Sequence, residues 1–249
     1  MLLSAVVIIY NEEKNIVDCL SCLSFCDEII VVDSGSTDRS VALAQGMKAK
    51  ALTHPFTDYA SQKNFGIAAA RGDWVLLVDA DERVTFELAR EIQKTISVSS
   101  GDGYEFLRQN RIFGRWMHHG SNAGDYQLRL VKRQKAKFQG LVHERVILES
   151  PAGRLRAPLL HYSTRTVPDY MKKLNVYTDL EARIMRKNPD RRSELQMKWV
   201  PPALFVRRYF LKGEFLDGIE GFLFCILSAY YEFVKRAKCW ESEMNSEGQ

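Results

Sequence analysis

The stretch Trp74–Arg83, WVLLVDADER, restricts the fold of this chain more than any other. The run from Trp74 to Val78 is apolar without alternation. That is the pattern of a strand buried on both faces of a parallel sheet, and such a strand requires helices above and below it. The run stops at Asp79, Ala80, Asp81 and Glu82, and open α/β sheets place their ligand crevice at the carboxyl ends of their strands. Residues two apart on an extended chain point the same way, so Asp79 and Asp81 converge while Ala80 faces inward. Hard oxygen ligands this close suit Mn²⁺ or Mg²⁺ already carrying substrate phosphates. A lone D-x-D is more commonly a solvated acidic turn, so its neighbours decide between the two.

Those neighbours repeat one unit. Residues 3–10, LSAVVIIY, form a β-branched run that predicts a first buried strand. Asn11 is expected to cap a helix running to Phe25, with Glu12 and Glu13 in its first turn. Residues 28–33, EIIVVD, predict a second strand, and Ser36 or Thr37 in the following turn is expected to cap the next helix. Asp33 thus stands at one strand end as Asp79 stands at another. A short strand near 49–53 leads into a helix over 58–70, closed by Gly72 as a left-handed glycine. Lys63 in that helix either meets a diphosphate or lies on an exposed face, and the pattern leaves both open. Thr85 caps an ordinary amphipathic helix. Strand–helix–strand order of this kind gives parallel pairing.

From Gly103 the runs shorten and alternate, over 104–113, 126–133, 142–148 and 154–162, which predicts mixed or antiparallel strands. Between the first two lies RWMHHGSNAGD, an aromatic and Gly-rich loop of the kind that lines acceptor sites or works as a lid. His118 and His119 in it read as acceptor contacts or surface residues rather than metal ligands. Glu144, after Val142 and His143, is a carboxylate inside an apolar strand, costly there without a purpose. His161 follows Pro158, Leu159 and Leu160 in the same manner, and a satisfied core histidine is the plainer reading of either imidazole.

The last third is helical by its offsets of three and four, as at Tyr170, Leu174, Tyr177, Leu180 and Ile184. Two aromatic-rich stretches then follow Pro201 and Pro202, flanked by Arg207, Arg208, Lys212, Lys235, Arg236 and Lys238. They suit an interfacial helix among lipid headgroups, or equally a helical hairpin buried against the body or against a second copy in a homo-oligomer. Residues 240–249 are polar and expected to fray.

Charge sharpens this picture. Residues 183–212 hold nine Lys/Arg against Asp190 and Glu194, a local +7, which leaves about −3 for the remainder of a chain of net charge +4. A neutral-to-acidic body with a basic tail speaks against a nucleic-acid binder and suits a protein leaning on an anionic membrane surface, or else the run is a solvated basic helix. The five cysteines and an N-terminus without a basic signal region predict a cytoplasmic protein. Cys19, Cys22 and Cys26, spaced by three and four, read as one packed helical face. No uncharged apolar run reaches the roughly 18–20 residues of a spanning helix.

Taken in order, VVIIYNEEKNI, DEIIVVDSGSTDRS, QKNFGIAAARGDWVLLVDADERV, YQLRLVKR, GLVHERV, HYS and DGIEGF resemble the family-2 inverting glycosyltransferases of GT-A fold, and most of all their bacterial lipopolysaccharide-core β-glucosyltransferase subgroup. The resemblance implies an α/β fold with a Rossmann-like, mostly parallel central sheet, a mixed acceptor-side region and a helical C-terminal tail. It divides the chain into a nucleotide-sugar-binding half (1–100), an acceptor-side and catalytic half (101–165) and a helical region (166–249). It implies a nucleotide-sugar donor, most often a uridine diphosphate sugar, and a glycolipid or lipopolysaccharide-core acceptor. Tyr10, Asn11, Glu12 and Asp33 would surround base and ribose, with Lys63 and Asp79 nearby. Asp81, completed by His161, would hold Mn²⁺ or Mg²⁺, and Glu144 matches the general base. The Glu-Asp dipeptide that serves as base in some members is lacking, which leaves Asp125 as a second candidate. Two other classes are compatible with parts of the pattern: an inactive sugar-nucleotide-binding scaffold, and an aspartyl-phosphate phosphatase, in which the D-x-D would normally follow the first strand.

Overall fold

Four apolar runs in the first third pair in parallel: β1 (Leu3–Ile9), β2 (Glu28–Asp33), β3 (Lys50–Thr53) and β4 (Trp74–Asp79), side by side in the order β3, β2, β1, β4. Alternate residues of each central strand enter opposite cores. Leu3, Ala5, Val7, Trp74, Leu76 and Val78 pack with Ile16, Leu20, Leu88 and Ile92, while Val6, Val75 and Leu77 pack with Ala60 and Ile67. Helices α1 (Ile16–Ser21) and α4 (Phe86–Val98) therefore cover one face and α3 (Tyr59–Ala69) the other, with α2 (Ser40–Gly46) leading into β3. This two-sided burial is why the strands read as continuous apolar runs. The computed structural model describes residues 1–98, 101–139, 145–148, 150–186 and 194–247.

The later strands add antiparallel pairs. These are β5 (Glu82–Val84), β6 (Gly103–Ile112), β7 (Arg115–Trp116), β8 (Tyr126–Lys132) and β11 (Gly153–Thr164) in the same sheet, and β9 (Lys137–Gln139) and β10 (Arg145–Ile147) outside it. Beyond β4 the order is β8, β6, β11, β5, with β7 on β6 and a separate β9–β10 pair. β8 runs antiparallel to β4 and to β6, and β5 antiparallel to β11. The expected α/β architecture, parallel in its first half and mixed in its second, is the one observed.

Several local expectations are corrected. Asn11 does not cap a helix: it has φ 55°, donates its N–H to Ser36 Oγ at 2.9 Å and accepts from Thr37 N–H at 2.8 Å. The helix after it is only Ile16–Ser21, so Cys22 and Cys26 lie beyond its end. Neither Ser36 nor Thr37 caps α2; Asp38 Oδ1 receives the Ser40 N–H at 2.9 Å instead. Lys63 is buried rather than on an exposed face, with Nζ 5.5 Å from the Phe138 ring centre. Thr85 does cap its helix, through Leu88 N–H, whereas Asp58, expected as the first residue of the helix before it, caps that helix through Ser61 N–H. Burial pushes the Cys19, Cys22 and Cys26 thiols up, as befits packed neutral groups.

The chain divides into two compact units, Met1–Gln109 with Gly124–His161 and Asn110–Ala123 with Tyr162–Gln249. The second unit contains α5 (Val167–Met185), α6 (Glu194–Val206) and α7 (Gly218–Glu247). α7 packs on both α5 and α6, and it stays helical to Glu247, where fraying was expected from 240. Pro201 and Pro202 lie inside α6, which passes into a π-helical turn over Arg207–Leu211. Among the described residues no helix is long and apolar enough to cross a membrane.

Gly72 is not a left-handed terminator either. A Cβ there would lie 2.7 Å from Ser4 N and 2.8 Å from Trp74 O, so the glycine exists to let two backbones approach. Gly72→Ala should cost about 1–3 kcal/mol, as overpacking against unyielding atoms does. Gly46→Ala, whose Cβ meets nothing within 4 Å, should be neutral or stabilising; urea unfolding of both variants measures the contrast.

Candidate functional site

The parallel registers set the first residues of the site. Ile9 pairs with Asp33 and Ile8 with Asp79, so β2, β1 and β4 end together and their carboxyl ends carry Asp33, Tyr10 and Asp79. Asp33 is buried, and its carboxylate accepts the N–H groups of Gly35 at 3.1 Å and Ser36 at 3.0 Å, folding the Gly-Ser turn back over its own strand. Tyr10 is 60% exposed beside it. Glu12 donates its N–H to Ser40 Oγ at 2.7 Å and accepts from the Asn15 side chain at 2.7 Å. Tyr10, Asn11, Glu12 and Asp33 are thus gathered around two adjoining strand ends and the turns leaving them.

The acidic end of β4 resolves into two environments. Asp81 Oδ2 lies 3.4 Å from His161 Nε2, both side chains mostly buried, because β5 pairs with β11 at Glu82 and His161. Among the described residues, no group of three or more His, Cys, Asp or Glu side chains could hold a metal ion. Asp79 and Glu82 turn instead to Arg129 on β8. Its Nη2 donates to Asp79 Oδ2 at 2.5 Å and to Glu82 Oε1 at 2.6 Å. Burial by itself would raise the Asp79 pKa, but the Arg129 guanidinium, then Lys63, hold it well below the usual carboxylate range. For fully buried Glu82 burial prevails over Arg129 and, with the Asp79 charge, pushes the pKa up. Arg108 on β6 stands 3.8 Å from Glu82 and donates to Asp125 at 2.8 Å. Gln127 also donates to Asp125, at 2.7 Å, so that alternative base is held in an ion pair. Glu144, with His143, lies outside the described residues.

Arg129 and Arg108 escaped the reading of the sequence. A single cation among Leu128, Leu130 and Val131 was the available signal, since a buried charge needs a partner of opposite sign.

In the second unit, two buried carboxylates hold the Gly-rich loop. Asp217 accepts the N–H groups of His118 and His119, both at 3.1 Å, and sits 2.8 Å from His119 Nδ1. Glu214 accepts from Ser121 N–H and Oγ, from Arg208 Nε at 3.0 Å and from Cys225 Sγ. Positive φ at Gly213 and Gly218 brackets the short turn that carries both acids. Burial would raise the Glu214 pKa, but the hydrogen bond from Cys225, then Arg208 and the Ser121 N–H, lower it. Glu214→Ala strands a largely buried Arg208 and should cost about 3–5 kcal/mol at neutral pH. Because the folded pKa is depressed, this stability is present above the ordinary Glu range and is lost as pH falls through the folded value. Urea unfolding of wild type and variant should therefore converge in acid.

These strand ends, with their paired carboxylates, stand together at the carboxyl edge of a mixed α/β sheet. A family model described as Glycosyl transferase family 2 matches residues 4–147. The lipopolysaccharide core biosynthesis glycosyltransferase LpsC of Rhizobium meliloti (strain 1021) is 31% identical over 96% of this chain and 92% of its own length. The chain therefore belongs to glycosyltransferase family 2, and the protein is a glycosyltransferase. An uncharacterized glycosyltransferase of Rickettsia conorii is 29% identical over 98% of this chain and 92% of its own. The crystal structure of Mycobacterium tuberculosis glucosyl-3-phosphoglycerate synthase with Mn²⁺, uridine diphosphate and glucosyl-3-phosphoglycerate overlaps 44% of each chain at 24% identity and TM-score 0.39, too partial an overlap to assign residues. Membership in the family displaces the phosphatase reading.

Proposed function

We propose that the protein transfers a sugar, with inversion and with a divalent ion, from a uridine diphosphate sugar to a hydroxyl of a glycolipid or lipopolysaccharide-core acceptor. The observation that carries this reading is the Asp81–His161 pair at the end of the buried strand, 3.4 Å apart, in a chain of this family. One hard oxygen and one imidazole nitrogen suit Mn²⁺ or Mg²⁺, and two protein ligands leave the remaining positions to phosphates and water. When bound, the ion neutralises charge developing on the departing diphosphate. The kinship to a relative named for lipopolysaccharide core biosynthesis supports the acceptor class.

In this mechanism Tyr10, Asn11, Glu12 and Asp33 seat the nucleoside, and Lys63 and Asp79 lie by its phosphates. Glu144 takes the proton of the acceptor hydroxyl as its oxygen bonds to the anomeric carbon. The bond from that carbon to the diphosphate breaks on the opposite face, so a single displacement inverts the configuration. The paired test is Asp81→Asn with Glu144→Gln. Asp81→Asn should lose Mn²⁺-dependent donor binding and turnover together. Glu144→Gln should lose about 10²–10⁴ in turnover while donor affinity holds, because a base facing the acceptor contributes little to donor binding. Normal transfer by Asp81→Asn would remove Asp81 from the metal site and leave its pairing with His161 structural, and donor binding by the wild type without any turnover would favour the inactive scaffold.

The second unit supplies a surface for the acceptor's membrane. Phe210, Leu211, Phe215, Leu216 and Ile219 are exposed at the junction of α6 and α7, with Arg207 and Lys212 exposed among them. Aromatic and aliphatic groups flanked by cations match the interface of an anionic leaflet, where each basic residue contributes about 1 kcal/mol. The protein should cosediment with anionic vesicles, less so as salt rises and less so as Phe210→Ser/Leu211→Ser. Indifference to such vesicles at low ionic strength would assign this surface to a second copy of the chain.

A further inference from the structure

Asp79 and Glu82 are like charges three residues apart in one turn, and Glu82 is fully buried. Left to themselves they would force the turn open or draw in a proton. One nitrogen prevents this. Arg129, itself 4% exposed, places Nη2 2.5 Å from Asp79 Oδ2 and 2.6 Å from Glu82 Oε1. Glu82 Oε2 meanwhile accepts the Asp79 N–H at 2.9 Å, and Arg83 Nη1 donates to the carbonyls of Ala80 and Glu82, both at 2.8 Å. The turn that carries Asp81 is therefore gripped through both carboxylates and through its backbone.

The form of the Arg129 contact matters. A guanidinium serving stability alone offers its planar fork to one carboxylate, the stronger pairing. Here a single nitrogen is shared between two carboxylates, and the buried Nε of Arg129 has no hydrogen-bond partner among the described residues. The side chain gives up its best pairing in order to bridge. Asp79 is the member of the bridge that remains partly open, its side chain 30% exposed against none for Glu82.

We infer that Arg129 is a positioning residue of the donor site, acting through Asp79: it fixes that carboxylate, and the turn that follows, in the orientation that receives the nucleotide diphosphate and its ion. The inference rests on the donor-site reading of Asp79 given above. Lysine is a poor substitute, because its three donors rotate on a flexible stem, whereas the planar guanidinium fixes the direction in which both carboxylates are held.

The test measures binding of uridine diphosphate in the presence of Mn²⁺ by titration calorimetry, and thermal unfolding alongside, on the full chain. Arg129→Lys keeps the charge and loses the bridge. Arg129→Met/Glu82→Leu removes the buried charges together, an exchange that commonly preserves or raises stability. Both variants should remain folded, the double variant melting no lower than wild type, and both should bind about 10- to 100-fold more weakly, the scale typical of lost supporting contacts around a metal site. Asp79→Asn should weaken binding as well. Wild-type affinity in a folded Arg129 variant, with Asp79→Asn impaired, would overturn the inference and leave Arg129 a purely structural charge. Wild-type affinity in Asp79→Asn would instead remove Asp79 from the donor site, and the role of Arg129 with it.

Discussion

A shared hydrogen-bond donor between two carboxylates sets the shape of this sheet where β4 ends. Asp79 on β4 and Glu82 on β5 both face Arg129 on β8, and Arg108 on β6 extends the alternation to Asp125. Charges in a buried setting interact far more strongly than in water, and removing one member leaves the others uncompensated. The network crosses β4, β8 and β6, which are consecutive strands. It therefore joins the last parallel strand to the first two antiparallel ones at the carboxyl end of β4.

The parallel half accounts for the rest of the candidate site in the first unit. Strands lie about 4.8 Å apart, so Asp33 and Asp79, separated only by β1, stand roughly two strand spacings apart. Their roles in the fold differ. Asp33 spends its oxygens on the backbone of the next turn, whereas Asp79 spends them on a side chain 50 residues away. Asn11, in a left-handed conformation, ties the turn after β1 to the turn after β2. The loops at this edge are thereby bonded to one another as well as to their strands.

The second unit uses the same physics for a different end. Asp217 and Glu214 are almost wholly buried, and each offsets its desolvation with backbone N–H groups of the His118–Ser121 loop and with a side-chain partner. A Gly-rich segment of this composition has little conformational preference of its own. Two buried acceptors give it one shape.

What the sequence determined by itself was whatever depends on neighbours a few residues away. The doubly buried strands β1, β2 and β4, the helix cap at Thr85 and the helical last third follow from apolar periodicity and short-range hydrogen bonds. The convergence of Asp79 and Asp81 was legible in part: the spacing put both at the strand end, but only the pairing of β5 with β11 gave Asp81 to His161 and Glu82 to the buried cluster. Tertiary structure alone decided that Asn11 is a left-handed brace and not a cap, that Gly72 marks an approach of Ser4, that Lys63 is buried, and that Arg129 stands between two acids. In each case the deciding atom lies 25 residues or more away in sequence. Local pattern fixes how much of a residue is buried and in what period; which charge or backbone meets it there is set by the strand order of the folded sheet.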